Sequence, residues 1–353
     1  MLEKEEQLRY KRHTLLPEIG VSGQLNFKTA RILVIGAGGL GCPALQYLAG
    51  AGIGHIAILD GDTVDLSNLQ RQVLYHTTDI GLNKAECAAH SLQQLNPDIE
   101  IIALPFRLDS DNAIALIQDY DLILDGSDNF ETRYLVNDAC VISGKPFISG
   151  SVYRFEGQLS VFNYKGGPTY RCLYPEPNDI GNCEETGVLG TLPGTVGCLM
   201  AGEALKIISG AGIVLSETLL IYNSLSNQFS SFRFSAMEEN QHITSLLPYE
   251  AVCFTAMPEI SAEEFRLMIE RKEIFQLIDV REPEEYQSAN LSGVLIPLAS
   301  LSLRFGEIRK DIPVIIHCQG GKRSLKALEF LKEKGFTNVR SLTGGIAGFL
   351  PNN

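Results

Sequence analysis

Three things are scarce in this 353-residue chain, and each scarcity excludes something. No apolar run approaches the roughly 18 residues that a membrane span needs, and the opening MLEKEEQLRYKRHTLL is too charged for a signal peptide, so the chain reads as soluble and cytoplasmic. Basic residues are in the minority, 29 Lys and Arg against 42 Asp and Glu. The resulting net charge of −13 argues against nucleic acid or an anionic membrane as the main partner. Cysteine never occurs as CxxC: Cys42, Cys87, Cys140, Cys172, Cys183, Cys198, Cys253 and Cys318 stand apart, as expected of reduced thiols rather than a disulfide framework. Internal repeats and low-complexity tracts are also missing.

What is present is enough chain for two domains and a clear alternation of apolar strands with helices. Strand RILVIG, a helix, strand HIAILD, helix KAECAAHSLQQL, strand IEIIAL, helix NAIALIQ, strand DLILDG, a helix and strand PFISG predict a parallel sheet covered on both faces. GQLSVFNYK and TLLIYNSLSNQFSSFRF alternate apolar with polar residues and predict antiparallel strands, with a helix over GTVGCLMAGEALKIISG between them. Periodicity lapses over Ser235–Glu259, and after it a capping box at Ser261 to Glu264 opens a second α/β pattern: FQLIDV, PVIIHC, helix SLKALEFLKEKG and VRSL. The expectation is a Rossmann-like, mostly parallel sheet with an antiparallel extension over residues 1–240, a linker at 241–257, and a small α/β domain at 258–353.

IGAGGLGCPALQYLAG carries the spacing GxGxxG at Gly36, Gly38 and Gly41 between a strand and a helix, which suits a diphosphate held at a helix N-terminus. Asp60, closing the next strand, stands where an acid binds ribose. These features alone fit a nicotinamide-dependent oxidoreductase. The polar stretch GDTVDLSNLQRQ that follows, with Asp62, Asn68, Gln70 and Arg71, fits it less well. Lys84 opens the next helix, and Asp128 with Asn129 follows the fourth strand. Because the carboxyl ends of parallel strands converge, Asp60, Arg71, Lys84 and Asp128 can share one crevice. Two cations and two acids there suit ATP with Mg²⁺ better than a nicotinamide diphosphate.

GAGGLG, LDGDTVDLSNLQRQ, GLNKA, LDGSDN and the N-terminal RYKRH together resemble the MoeB/ThiF adenylyltransferases that activate ubiquitin-like sulfur carriers, relatives of the ubiquitin-activating enzymes. The resemblance spans residues 5–235 or so. It implies adenylation of the C-terminal glycine of a MoaD- or ThiS-type carrier. It implies that Gly39, Asp60, Ser67, Asn68, Arg71, Lys84, Asp128 and Asn129 hold ATP, with Asp128 on Mg²⁺, and that Arg12 reaches the partner subunit's ATP in a homodimer. Cys183 in GNCEETGVLG matches the family's cysteine in a loop over the active site, its role open between a covalent link and a loop residue. Many members hold structural zinc through two CxxC pairs. Here PTYRC offers Thr169 in place of the first cysteine and leaves Cys172 alone, so no zinc is expected.

In the second domain, HCQGGKRS places Cys318 between a strand and a helix, where successive loop N–H groups would stabilise a thiolate, with charge added by Lys322 and Arg323. With IDVREPEEY and SLTGGIAGF, residues 258–353 resemble a rhodanese, which implies a persulfide on Cys318 supported by Arg323, Asp279 and Arg281. Cys318 and Arg323 have four residues between them, against five in tyrosine-phosphatase loops, and the smaller ring favours sulfur over phosphate. Asn290 stands where that family usually has His. The combined expectation is an adenylyltransferase with sulfurtransferase activity that makes a carrier thiocarboxylate. Molybdopterin, thiamine and tRNA thiolation remain open as pathways, as does the sulfur donor. The alternatives are the oxidoreductase and a non-catalytic adaptor that binds the carrier.

Overall fold

The computed structural model describes residues 1–175, 187–246, 259–310, 312–336 and 338–349. Contacts divide the chain into two compact units, Met1–Glu250 and Ala251–Asn353. Among the described residues no helix is long and apolar enough to cross a membrane.

The first unit is built on an eight-stranded sheet of β1 (Arg31–Ile35), β2 (His55–Leu59), β3 (Glu100–Leu104), β4 (Leu122–Asp125), β5 (Phe147–Tyr153), β6 (Glu156–Phe162), β7 (Thr218–Asn223) and β8 (Gln228–Arg233). Its order is β3-β2-β1-β4-β5-β6-β7-β8. The first five pair in parallel and the last three antiparallel. The apolar runs read as strands are buried on both faces: β4 is wholly buried and β1 nearly so. Two cores result, one against each face. Leu45, Leu48, Val196 and Met200 pack with Ile32 and Val34 on one side, and Tyr134, Leu135, Phe147 and Phe162 pack with Leu33 and Ile35 on the other. The predicted helices fall at Gly41–Ala51, Lys84–Leu95, Ala113–Ile117, Phe130–Ile142 and Thr191–Ser209, the second matching its sequence pattern residue for residue.

The order reverses between β1 and β4, and at such a switch point the loops leaving the two strands diverge and open a crevice. At their roots the two loops touch. Gly36 takes φ +87°, and a Cβ on it would lie 3.0 Å from the Gly126 carbonyl oxygen beyond β4; a Cβ on Gly41 would overlap the Gly36 carbonyl.

The second unit is a five-stranded parallel sheet of β9 (Glu259–Ile260), β10 (Gln276–Asp279), β11 (Val294–Leu295), β12 (Val314–His317) and β13 (Val339–Leu342), in the order β11-β10-β12-β13-β9. Ser261 caps the helix Ala262–Glu270 through the anticipated box, its Oγ accepting from the Glu264 N–H at 3.1 Å.

Gly41 is the most sharply determined of these positions. Gly41→Ala is expected to lower the stability of the first unit by about 2 kcal/mol or more, since the overlapped group is backbone and cannot turn aside. Urea unfolding followed by circular dichroism measures it, and a change within about 0.5 kcal/mol would show that the turn from Gly36 to Gly41 is not tight.

Candidate active sites

A cleft of about 1050 Å³ lies at the carboxyl ends of β1, β2, β3 and β4. The glycine turn forms its floor: Gly36, Gly38 and Gly39 line it, whereas Gly41 sits behind them at the start of its helix. A Cβ on Gly38 would make only an ordinary contact, with Gln72 Nε2 at 3.6 Å, and Gly39 is backed by Pro193. Tyr75 braces the turn from below, donating to the Ala37 carbonyl at 2.7 Å.

Asp60 accepts from the backbone N–H of Ala37 at 2.8 Å and of Asp62 at 2.9 Å, tying the end of β2 to the glycine turn. Burial pushes its carboxyl up, against those two N–H groups and the charge of Lys84, which pull it down. Lys84 is itself buried, with its ammonium 3.5 Å from Asp62. Arg71 lines the cleft beside Gly39, with Nη1 donating to the Ser67 carbonyl at 3.0 Å. Asp128 and Asn129 are exposed to the cleft from the other side. The Asn129 side chain caps the helix Phe130–Ile142 by accepting from the Thr132 N–H at 2.8 Å, and among the described residues Asp128 meets only the Asn129 amide, at 3.4 Å. An exposed carboxylate so lightly engaged fits a cation that keeps most of its water. Among the described residues no cluster of three or more His, Cys, Asp or Glu side chains stands ready for a metal.

Asp60, Arg71, Lys84, Asp128 and Asn129 are therefore brought together with Gly36, Gly38 and Gly39. Ser67 and Asn68 are not on the cleft wall: they form a short helical turn whose Asp65 accepts from the Ser67 N–H at 2.8 Å. Arg12 is exposed on the short helix Lys11–Thr14, away from the wall. Cys183 and Cys253 lie outside the described residues. Cys172 is buried, with Sγ accepting from the backbone N–H of Thr169 at 3.4 Å and of Met237 at 3.3 Å. The cleft also holds three arginines that sequence reasoning did not single out: Arg107, Arg133 and Arg154. Arg107 could have been found from topology alone, since PFRL follows the carboxyl end of β3. Arg133 lies in the first turn after the Asn129 cap and donates to the Ser127 carbonyl at 2.8 Å.

In the second unit β12 delivers Cys318 to a tight loop ahead of the helix Lys322–Glu333. Gly321 closes the loop at φ +93°, which presents its N–H to Cys318 Sγ at 3.2 Å. The Ser324 hydroxyl lies 3.6 Å from the sulfur. It accepts from Ser341, which leaves its own proton free to turn to the sulfur or to the Gly321 carbonyl. Burial alone would raise the thiol, which is 1% exposed; the Ser324 hydroxyl and the N–H groups of Ser324, Gly320 and Arg323 outweigh it and hold the thiol below its ordinary range. From outside, Ile346 N–H donates to the Cys318 carbonyl at 2.8 Å, and Gly345 is glycine because a Cβ there would overlap that same carbonyl.

The arginine expected beside the sulfur is placed differently. Arg323 turns its guanidinium to Glu285 in a two-pronged pair, 2.6 Å at each prong, so its main gift to the thiolate is its backbone N–H. The pair holds Glu285 down to about 2. Arg281 and Asp279 are buried together, Nη2 to Oδ2 2.7 Å, and Arg281 steadies the loop by donating to Gln319 Oε1 at 3.1 Å. Asn290 donates to the Tyr286 carbonyl at 3.0 Å and accepts from the Ser292 N–H, a turn-forming role away from the sulfur.

The chain belongs to the ThiF family, whose description matches residues 10–243, and it carries a Rhodanese-like domain over residues 261–351. It is 42% identical to the "Probable adenylyltransferase/sulfurtransferase MoeZ" of Mycobacterium tuberculosis (strain ATCC 25618 / H37Rv), covering 99% of this chain and 94% of that one. It is 38% identical to "Adenylyltransferase and sulfurtransferase MOCS3" of Mus musculus, covering 98% and 85%. Among solved structures, E. coli MccB with ATP superposes with a TM-score of 0.59 at 22% identity, over 67% of this chain and 73% of that one, a likeness of fold.

The hydrogen bonds to Cys318 make a pH prediction. Because its thiol is held low, alkylation by iodoacetamide should reach half its maximal rate below the pH usual for a free cysteine. Ser324→Ala removes one stabiliser of the anion, so the midpoint should move up by about one pH unit. An unmoved midpoint would show that the hydroxyl serves only the Gly321 carbonyl.

Proposed function

We propose that the first unit adenylates the C-terminal glycine of a small ubiquitin-like sulfur carrier with ATP and Mg²⁺, and that Cys318 then supplies sulfur as a persulfide to give a thiocarboxylate. The observation that carries this reading is the coexistence, in one chain, of a glycine-floored cleft lined by Arg71, Lys84 and Asp128 with a cysteine loop that stabilises a sulfur anion. The names of the relatives, which join both activities, support it.

In the cleft, the glycine turn takes the phosphates and Asp60 the ribose. Asp128 would hold Mg²⁺, which draws charge from the phosphates when bound. The carrier's carboxylate oxygen attacks the α-phosphorus and pyrophosphate leaves. Two anions approach in that step, so Arg71 and Lys84 serve by neutralising charge as it gathers, with no side-chain nucleophile required. In a homodimer, Arg12 of one protomer would serve the other's cleft. The terminal sulfur of a Cys318 persulfide then displaces AMP from the acyl-adenylate, and a second thiol opens the acyl disulfide to release the thiocarboxylate. Cys183 is the candidate within the chain for that covalent step. Reduced thiols suit work in the cytoplasm, and Thr169 in place of a cysteine ahead of Cys172 suits a first domain without structural zinc.

Carrier-dependent exchange of labelled pyrophosphate into ATP tests the first half. Asp128→Ala should lower exchange by at least about a hundredfold, the usual scale for a lost electrostatic stabiliser of phosphoryl chemistry. Retention of full exchange would remove Asp128 from the site, and binding of NAD without exchange would favour the oxidoreductase.

A further inference from the structure

We propose that Asp62 is a positioning residue for the nucleotide: it holds Lys84 ready for the phosphates and passes it over when they arrive, while Arg107 keeps the vacated carboxylate neutral. This rests on the cleft binding ATP as proposed above. All three side chains line the cleft. The Asp62 carboxylate is shared, Oδ1 2.8 Å from Arg107 Nη2 and Oδ2 3.5 Å from Lys84 Nζ.

The two cations differ in kind. Lys84 is confined, its side chain 10% exposed, whereas the Arg107 side chain is 82% exposed. The backbone under each is fixed. The Asp62 carbonyl accepts from the Lys84 N–H at 2.9 Å and from Asn83 Nδ2 at 3.2 Å, and the Asp62 N–H donates to Asp60. The Arg107 carbonyl accepts from Asn112 Nδ2 at 3.0 Å, and Arg107 is pressed on Gly61, where a Cβ would lie 2.9 Å from its Cγ. Residue 62 is thus the junction of the ribose acid, the phosphate cation and the segment after β3.

A lone lysine in so closed a place would lose most of its hydration, and a negative partner offsets that cost. The same partner would repel a polyphosphate as soon as the lysine leaves it. Burial pushes the Asp62 carboxyl up, yet Arg107 and Lys84 together hold it below the ordinary range, so it stays charged and the repulsion is real. A second cation on the other oxygen resolves the conflict, because the pair with Arg107 survives when Lys84 turns to the phosphates.

The arrangement predicts effects of opposite sign, which a merely structural role would not give. In full-length protein, Arg107→Ala should weaken ATP binding, read by equilibrium dialysis without carrier, by about fivefold. Adding Asp62→Asn to Arg107→Ala should restore it to near the wild-type value. Asp62→Asn alone should bind ATP at least as well as wild type while lowering the maximal rate of carrier-dependent exchange about tenfold. Arg107 is exposed, so its variant keeps the test alive if Asp62→Asn folds poorly. Unchanged ATP binding in Arg107→Ala, or a double variant weaker than Arg107→Ala, would overturn the proposal. Absence of exchange in the wild type with ATP still bound would instead count against adenylation, and the binding comparison would stand.

Discussion

The close contact of two backbone turns, at Gly36 after β1 and Gly126 after β4, is the constraint on which the first unit depends. It falls where the sheet order reverses, so the strands on either side send their loops apart and leave the cleft between. A Cβ on Gly36 would crowd the Gly126 carbonyl at 3.0 Å, and Gly41 packs on the Gly36 carbonyl from behind, where any side chain would overlap it. That closeness puts backbone N–H groups, rather than side chains, at the floor of the cleft, where a phosphate can meet them at a helix N-terminus. Charge is then added around the floor in order: Asp60 at β2, Lys84 and Arg71 from the segment after it, Asp128 beyond β4.

The second unit solves a related problem at smaller scale. A sulfur anion, like a phosphate, is held by N–H groups of a strand-to-helix turn, with glycine at the position whose positive φ turns the N–H inwards. In both units the full charges sit one step back. Lys84 is matched to Asp62, and Arg323 to Glu285. Local dipoles stabilise the anion, and the ion pairs hold the elements that carry those dipoles. In the proposed function the two chemistries, one making an acyl-adenylate and one presenting a sulfur nucleophile, would follow in sequence on one carrier.

The strand and helix alternation was legible because each strand is a short apolar run buried on both faces, and because the helix Lys84–Leu95 keeps its period throughout. The N-terminal helices were not read as such: Gly20–Thr29 is weakly amphipathic, and Lys4–Arg9 is nearly all polar. The two-residue strands β9 and β11 are too short to show a period. Among site residues, those inside motifs could be assembled by the rule that carboxyl ends of parallel strands converge. Its place after β3 would have brought Arg107 to the cleft by the same rule, but not its pairing with Asp62, 45 residues away. Ser67 and Asn68 illustrate the reverse, motif residues whose own turn keeps them off the cleft wall. The direction of Arg323 was illegible because Glu285, which turns it away from the sulfur, lies 38 residues distant. The oxidoreductase reading, open while only GxGxxG was in view, loses its support once Arg71, Lys84 and Asp128 share the cleft and the chain stands in the ThiF family.

The central claim, that adenylation and sulfur delivery act in turn on one carboxylate, is met most directly by intact-mass measurement of a ubiquitin-like carrier incubated with the full-length protein, ATP and thiosulfate. The account predicts replacement of one carrier oxygen by sulfur with the wild type, and no replacement with Cys318→Ala although carrier-dependent pyrophosphate exchange continues. Sulfur gain that persists in Cys318→Ala, or that occurs without ATP, would contradict it.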